Sequence, residues 1–224
     1  MSVSSLTNAA QDYLKAIWSA TEWEQTPVTV TALAARFGVR AATVSDGIRR
    51  LTEQGLVVHQ PYGAVTLTET GRAHAVAMVR RHRLIETFLV ETLGYPWDEV
   101  HDEAEVLEHA VSDTLIDRID AALGHPVRDP HGDPIPTPQG DPRTPNGLRL
   151  TAAEPSRPMR IVRISDADPA VLRYLTEHGI GLDARATLVE TRPFAGDVVV
   201  SIDDAAPITM GAVAAEAIWV TSAA

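Results

Sequence analysis

Ala41-Ala-Thr-Val-Ser-Asp-Gly-Ile-Arg-Arg-Leu-Thr-Glu-Gln54 carries a helical period: Val44, Ile48 and Leu51 form one stripe, while Thr43, Ser45, Asp46, Arg49 and Arg50 point away from it. Gly55 stops this helix. Upstream, Thr29 and Thr31 precede a shorter helix, Ala32-Leu-Ala-Ala-Arg-Phe37, which Gly38 closes. Downstream, Leu56–His59, a Pro61-Tyr-Gly63 turn and Ala64–Thr68 read as a β-hairpin. Residues 5–23 add a first helix with Leu6, Ala9, Ala10, Tyr13, Leu14, Ile17 and Trp18 as its apolar stripe. The sum is a winged helix-turn-helix.

Such a module lays its second helix in the major groove of double-stranded DNA. Thr43, Ser45 and Asp46 would lie near base edges and Arg49 or Arg50 near phosphates, with Arg40 completing the DNA-contacting set. A carboxylate such as Asp46 can accept from a cytosine amino group. The alternative is a winged helix used for protein contacts.

The rest of the chain divides into two further domains. Helices are expected at Glu69–Leu93, Trp97–His109 and Thr114–Leu123, broken at Gly94-Tyr-Pro96, with Leu84, Phe88, Leu89 and Leu115 as candidate surface for a homodimer. Prolines crowd the stretch from Gly124 to Pro158, which predicts a loop or linker. Short β-like runs follow at 160–164, 186–190, 197–202, 206–210 and 217–220, with one helix at Pro169–His178, as in a small SH3-like β-barrel. The expected fold is mainly α with β: a winged helix-turn-helix domain over 1–73, a helical dimerisation and metal-binding domain over 74–144 with its Pro-rich tail from 124, and an SH3-like domain over 145–224.

Composition bounds the chemistry. The 224 residues are 45% hydrophobic and 22% charged, as in ordinary globular proteins. No apolar run is long enough for a membrane span, and no basic segment leads an apolar one near the N-terminus, so a cytoplasmic location is expected. With no cysteine, a metal would be held by O and N donors alone. Residues 1–73 carry six basic and six acidic side chains, so the net charge of −11 lies wholly in 74–224 and leaves the reader module neutral.

His101-Asp-Glu-Ala-Glu-Val-Leu-Glu-His109 is the densest concentration of metal donors. Glu105, Glu108 and His109 stand at i, i+3 and i+4, one face of a helix, with His101 a turn earlier. His82 and Glu86 form a second i, i+4 pair. Carboxylates and imidazoles so gathered suit a divalent metal. The bland reading is an exposed acidic face ending in a histidine.

Gln11-Asp-Tyr-Leu-Lys-Ala-Ile17, Arg81-His-Arg-Leu-Ile-Glu86, Val100-His-Asp-Glu-Ala-Glu-Val-Leu-Glu-His-Ala-Val-Ser-Asp113 and His131-Gly-Asp-Pro-Ile-Pro136 resemble the diphtheria toxin repressor family, which comprises iron-dependent regulators and manganese-sensing relatives. The resemblance spans essentially the whole chain. It implies a primary metal site at Asp12, Glu105, Glu108 and His109, which couples metal to DNA because Asp12 lies on the first helix. It also implies an ancillary site at His82, Glu86 and His101, completed from the SH3-like domain by Asp168; Asp166 is a possible substitute, and Val171 stands where an amide ligand is usual. Arg83 matches a basic residue of the family's anion site, whereas Asp129 and Asp133 replace neutral hydrogen-bonding groups.

Iron-type members place Met and Cys where this chain has Asp12 and Glu105, and harder oxygen donors favour Mn²⁺. Compact manganese regulators carry Glu where Lys15 stands. The implied protein is a Mn²⁺-dependent repressor of metal homeostasis, with Fe²⁺ as the alternative and Co²⁺, Zn²⁺ or Cd²⁺ as substitutes in vitro. It would act as a homodimer on operator DNA, with neither membrane nor small-molecule substrate. A metallohydrolase is the rival, but the chain lacks a Gly-rich phosphate loop, a nucleophile elbow and a general base paired with an open metal position. A metal-independent winged-helix regulator is the third reading.

Overall fold

Helix α1 (Asn8–Glu22) begins where the Thr7 hydroxyl accepts from Ala10 N, and it buries Tyr13, Leu14, Ala16 and Ile17. The computed structural model describes residues 6–23, 26–60, 63–141 and 146–223. Helix α2 (Val30–Phe37) is capped by Thr29 and ends at Gly38 in the left-handed conformation, φ 63°. Helix α3 (Ala41–Glu53) buries Val44, Ile48 and Leu51, the stripe its sequence carries. Strand β1 (Val57–His59) pairs antiparallel with β2 (Val65–Leu67) to form the wing; Pro61 and Tyr62 of the expected turn lie outside the described residues.

Two glycines in this region are there for closeness. A Cβ on Gly47 of α3 would stand 2.4 Å from Tyr13 Cε2, so the ring of α1 rests on the backbone of α3. A Cβ on Gly71 would stand 1.8 Å from the Leu56 carbonyl oxygen, where the next helix meets the start of the wing.

That helix, α4, runs Glu69–Leu93, followed by α5 (Val100–Leu107) and α6 (Asp113–Ala122), the last capped by the Ser112 hydroxyl. The expected boundary at residue 73 falls inside α4, so continuous helix joins the reader domain to the helical segment without a linker. Helix α5 is shorter than the expected Trp97–His109: residues 97–99 form a turn and Glu108 and His109 lie just past its end. Leu84 and Leu89, expected as dimer surface, are core residues, whereas Leu115 is 44% exposed.

The described residues pack into two units. One lies within Met1–Phe88, Ala104–Val127 and Pro134–Pro145; the other lies within Leu89–Glu103, Arg128–Asp133 and Asn146–Ala224. The second holds a six-stranded antiparallel sheet in the order β3-β8-β4-β5-β6-β7. Its strands are β3 (Leu148–Arg149), β4 (Pro158–Ile164), β5 (Arg185–Arg192), β6 (Asp197–Ile202), β7 (Ile208–Gly211) and β8 (Ile218–Ser222). Helix α7 (Pro169–Glu177) packs Leu172 and Leu175 into the core with Ile161, Leu188 and Val200, and a short α8 (Ala212–Glu216) precedes β8. Bulges in β4 and β5 bend the sheet as an SH3-like domain requires. No helix among the described residues is long and apolar enough to cross a membrane.

Candidate metal centre

Within the first unit, α1 meets the end of α5. Asp12, Glu105, Glu108 and His109 each offer one donor atom, and the four atoms lie within 4.8 Å of one another. The sequence separation is bridged because α1 buries its apolar face in the reader core and turns Gln11, Asp12 and Lys15 toward the α5 turn. Arg81 of α4 braces that turn: its guanidinium donates to the Glu108 carbonyl (3.0 Å) and the Val111 carbonyl (2.9 Å) and pairs with Asp113. Both carbonyls lie outside the helices, in the turn between α5 and α6, where the backbone ladder supplies no donor.

Gln11 orients the histidine. Its Nε2 donates to the Leu6 carbonyl at 3.0 Å, which turns Oε1 toward His109 Nδ1 at 2.8 Å. Gln11 thus favours a proton on Nδ1, which leaves Nε2 as the nitrogen that can face a metal. His109 Nε2 lies 2.9 Å from Asp12 Oδ1, an ion-pair distance without hydrogen-bond geometry, and Asp12 Oδ1 is a buried oxygen that accepts no hydrogen bond. Burial raises the Asp12 carboxyl above its ordinary pKa, with Glu105 and Glu108 pushing the same way against His109 and Lys15. An orphaned carboxylate oxygen beside an imidazole nitrogen and two further carboxylates is a set that fits a divalent cation.

Glu108 is fully buried and meets cations on both oxygens. Its Oε1 lies 2.6 Å from Lys15 Nζ, and its Oε2 lies 2.6 Å from His82 Nδ1. Lys15 Nζ also lies 2.6 Å from Glu105 Oε1. Burial alone would depress His82; the Glu86 charge and hydrogen bonds with Glu108 and Glu86 outweigh it, and Lys15, to hold the imidazole at about 9. Sequence reasoning missed Gln11, which gives no signal beyond its place beside Asp12.

The remaining expected ligands belong to both units. His82 and Glu86 belong to the first unit, where His82 Nε2 lies 3.0 Å from Glu86 Oε1. His101 belongs to the second, with Nδ1 2.8 Å from Asp166 Oδ2. Asp168 is the N-cap of α7, its Oδ1 accepting from Ala170 N at 2.8 Å. Arg83 of the expected anion site is chelated by Glu22 at the end of α1 and donates to the Pro134 carbonyl (2.7 Å). Asp129 accepts from the amides of His131 and Asp133, each at 2.9 Å, and Asp133 pairs with Arg163 at 2.8 Å.

The reader helix presents its outer face. Arg40, Thr43, Ser45, Asp46, Arg49 and Arg50 are all exposed. Arg49 leans on its own helix, 2.8 Å from Glu53 and 3.8 Å from Asp46.

Models of three protein families match the chain. "Iron dependent repressor, N-terminal DNA binding domain" covers residues 5–65, "Iron dependent repressor, metal binding and dimerisation domain" covers 68–137, and "FeoA domain" covers 148–222. The iron-dependent repressor IdeR of Mycobacterium leprae is 32% identical over 221 residues, 92% of this chain and 93% of that one. A solved manganese-dependent transcriptional repressor in complex with manganese is 58% identical, covers 96% of this chain and 100% of its own, and superposes with a TM-score of 0.91. The manganese regulator SloR is 30% identical over 97% of this chain and 100% of its own, with a TM-score of 0.80.

Proposed function

We propose that this chain, which belongs to the iron-dependent repressor family and is therefore a metal-dependent, DNA-binding transcriptional repressor, is a manganese-responsive member acting as a cytoplasmic homodimer. The observation that carries this reading is the convergence of Asp12, from a helix of the reader core, on Glu105, Glu108 and His109. A divalent cation held by those four would neutralise crowded carboxylates and tie the reader to the helical segment. Gln11 leaves His109 Nε2 as the nitrogen that can face the ion, and Arg81 holds the turn that carries two of the donors. Fixing α1 fixes the reading helix, and in a dimer that sets the separation of two half-site readers. Metal and operator then strengthen each other's binding by the same factor.

Manganese is favoured over iron by the donor set, all oxygen and nitrogen with no sulfur. The 58% identical structure is that of a manganese-dependent repressor, while IdeR of Mycobacterium leprae is an iron-dependent one. Metal-uptake genes are the natural target, silenced when the ion is plentiful. A reporter driven by the protein's own operator should be repressed by added Mn²⁺ and unmoved by added Fe²⁺. Repression by iron alone would place the chain on the iron branch.

Arg50, exposed on the outer face of α3, is assigned to phosphate. Arg50→Ala should weaken binding almost evenly across operator variants and lower the salt slope by about one. Gel shifts over a panel of operators and salt concentrations check this. A loss confined to one base position would reassign Arg50 to base reading.

A further inference from the structure

Among nineteen basic residues the chain has a single lysine, and the other eighteen are arginines. That lysine, Lys15, has a side chain only 8% exposed and bridges Glu105 Oε1 and Glu108 Oε1 at 2.6 Å each. We propose that Lys15 is a resident counter-cation of the metal centre, one that a divalent ion must displace, so that it sets the metal concentration at which the repressor responds. The inference rests on the reading of Asp12, Glu105, Glu108 and His109 as that centre.

Three observations carry it. First, the ammonium holds a carboxylate oxygen of Glu105 and Glu108 Oε1, the oxygen 3.7 Å from His109 Nε2, and Glu108 Oε2 is already taken by His82. An incoming cation competes with Lys15 for shared oxygens and is repelled by its charge. Second, Lys15 is an incomplete occupant. It lies one turn after Asp12 on α1, yet Asp12 Oδ1 still accepts no hydrogen bond, so a multivalent ion gains a carboxylate that the ammonium leaves unsatisfied. Third, the residue type suits exchange. An ammonium is a compact, strongly hydrated charge on a flexible stem, whereas a guanidinium would grip the carboxylates as a planar fork. Glu105 is 36% exposed in its side chain, so the departing amine has a short route to water.

The exchange is one cation for another. Three carboxylates carry −3, which the ammonium brings to −2 and a divalent ion in its place brings to −1, and until the ion arrives Lys15 offsets part of the charge on Glu105 and buried Glu108. Lys15 also ties α1 to the α5 turn without reaching the full donor set. The two links compete for the same place, and the ion must outbid the amine.

Because the chain has one lysine, acylation of its ε-amine can be read by mass spectrometry on the native protein, while loss of the free Mn²⁺ electron paramagnetic resonance signal reports occupancy. Lys15 should be protected before Mn²⁺ is added and react about tenfold faster at saturation, a shift equivalent to ~1.4 kcal/mol. Lys15→Met should bind Mn²⁺ about tenfold tighter and melt at a lower temperature before Mn²⁺ is added. Lys15→Arg, which keeps the charge, should bind no more tightly than the native chain. Unchanged labelling at full Mn²⁺ occupancy would overturn the proposal, as would native Mn²⁺ affinity in a folded Lys15→Met. If Lys15→Met does not fold, the labelling of the native chain decides alone. Failure of the native chain to take up Mn²⁺ would overturn both this inference and the metal-centre reading.

Discussion

In a Glu108→Ala protein, Mn²⁺ is expected to produce no gain in operator affinity, erasing the roughly 5- to 150-fold enhancement that an ordinary coupling of about 1–3 kcal/mol gives. Glu108 is the donor nearest the middle of the network, with Lys15 on one oxygen and His82 on the other. Its removal takes away a proposed metal donor and deprives two buried cations of one partner each. Breaking a buried pair in this way costs about 3–5 kcal/mol, and the low end applies here because Lys15 keeps Glu105 and His82 keeps Glu86. The variant should therefore melt earlier as well as lose its metal response. Asp12→Ala separates the two effects, since Asp12 is partly exposed and its Oδ1 accepts no hydrogen bond: the metal response should vanish with little change in melting. Mn²⁺ titrations of operator binding beside calorimetric melts provide the check. A metal response surviving in both variants would remove these residues from the switch.

Gly71→Ala should be the most damaging small substitution in the reader domain. Its Cβ would stand 1.8 Å from the Leu56 oxygen and 2.8 Å from the carbonyl carbon, so the obstruction is backbone and no rotamer relieves it. Nor is Leu56 free to retreat, because its carbonyl accepts from Thr68 N at 3.0 Å and from the Thr68 hydroxyl at 3.2 Å, while Gly71 N donates back to that hydroxyl at 3.1 Å. Overpacking of this kind costs about 3 kcal/mol, which for a chain of this size lowers Tm by roughly 6–12 °C. Differential scanning calorimetry measures it, and an unchanged Tm would mean that the junction of wing and α4 yields.

What could be read in advance follows the range of the forces involved. The reader domain was legible because its signals are local: Val44, Ile48 and Leu51 keep a helical period, and Thr29 and Gly38 are capping residues in capping places. The end of α5 was overrun because the donor spacing of Glu105, Glu108 and His109 mimics one more helical turn, which the backbone makes as a turn braced by Arg81. Strand β3, with two residues, and helix α8, with five, are too short to show a period. Leu84 and Leu89 are core rather than dimer surface, since an apolar stripe does not say whether the protomer or a partner covers it. The joining of Asp12 to the α5 turn came from family resemblance, since the residues are distant in sequence and periodicity is silent on such pairings. Lys15 stands in the sequence as a departure from that pattern, but its grip on two glutamates is a tertiary contact that no local signal encodes.

The missing side chain at Gly47 has a mechanical consequence. Tyr13, the neighbour of Asp12, has its ring edge against the bare main chain of α3, with no compliant methylene between them to absorb a push. Close-packed interiors compress little, so a small excursion of the α1 turn that carries Asp12 is handed to α3 with little loss. The transmission is stiff by construction, and a side chain at position 47 would act as a spacer that throws the lever out of alignment.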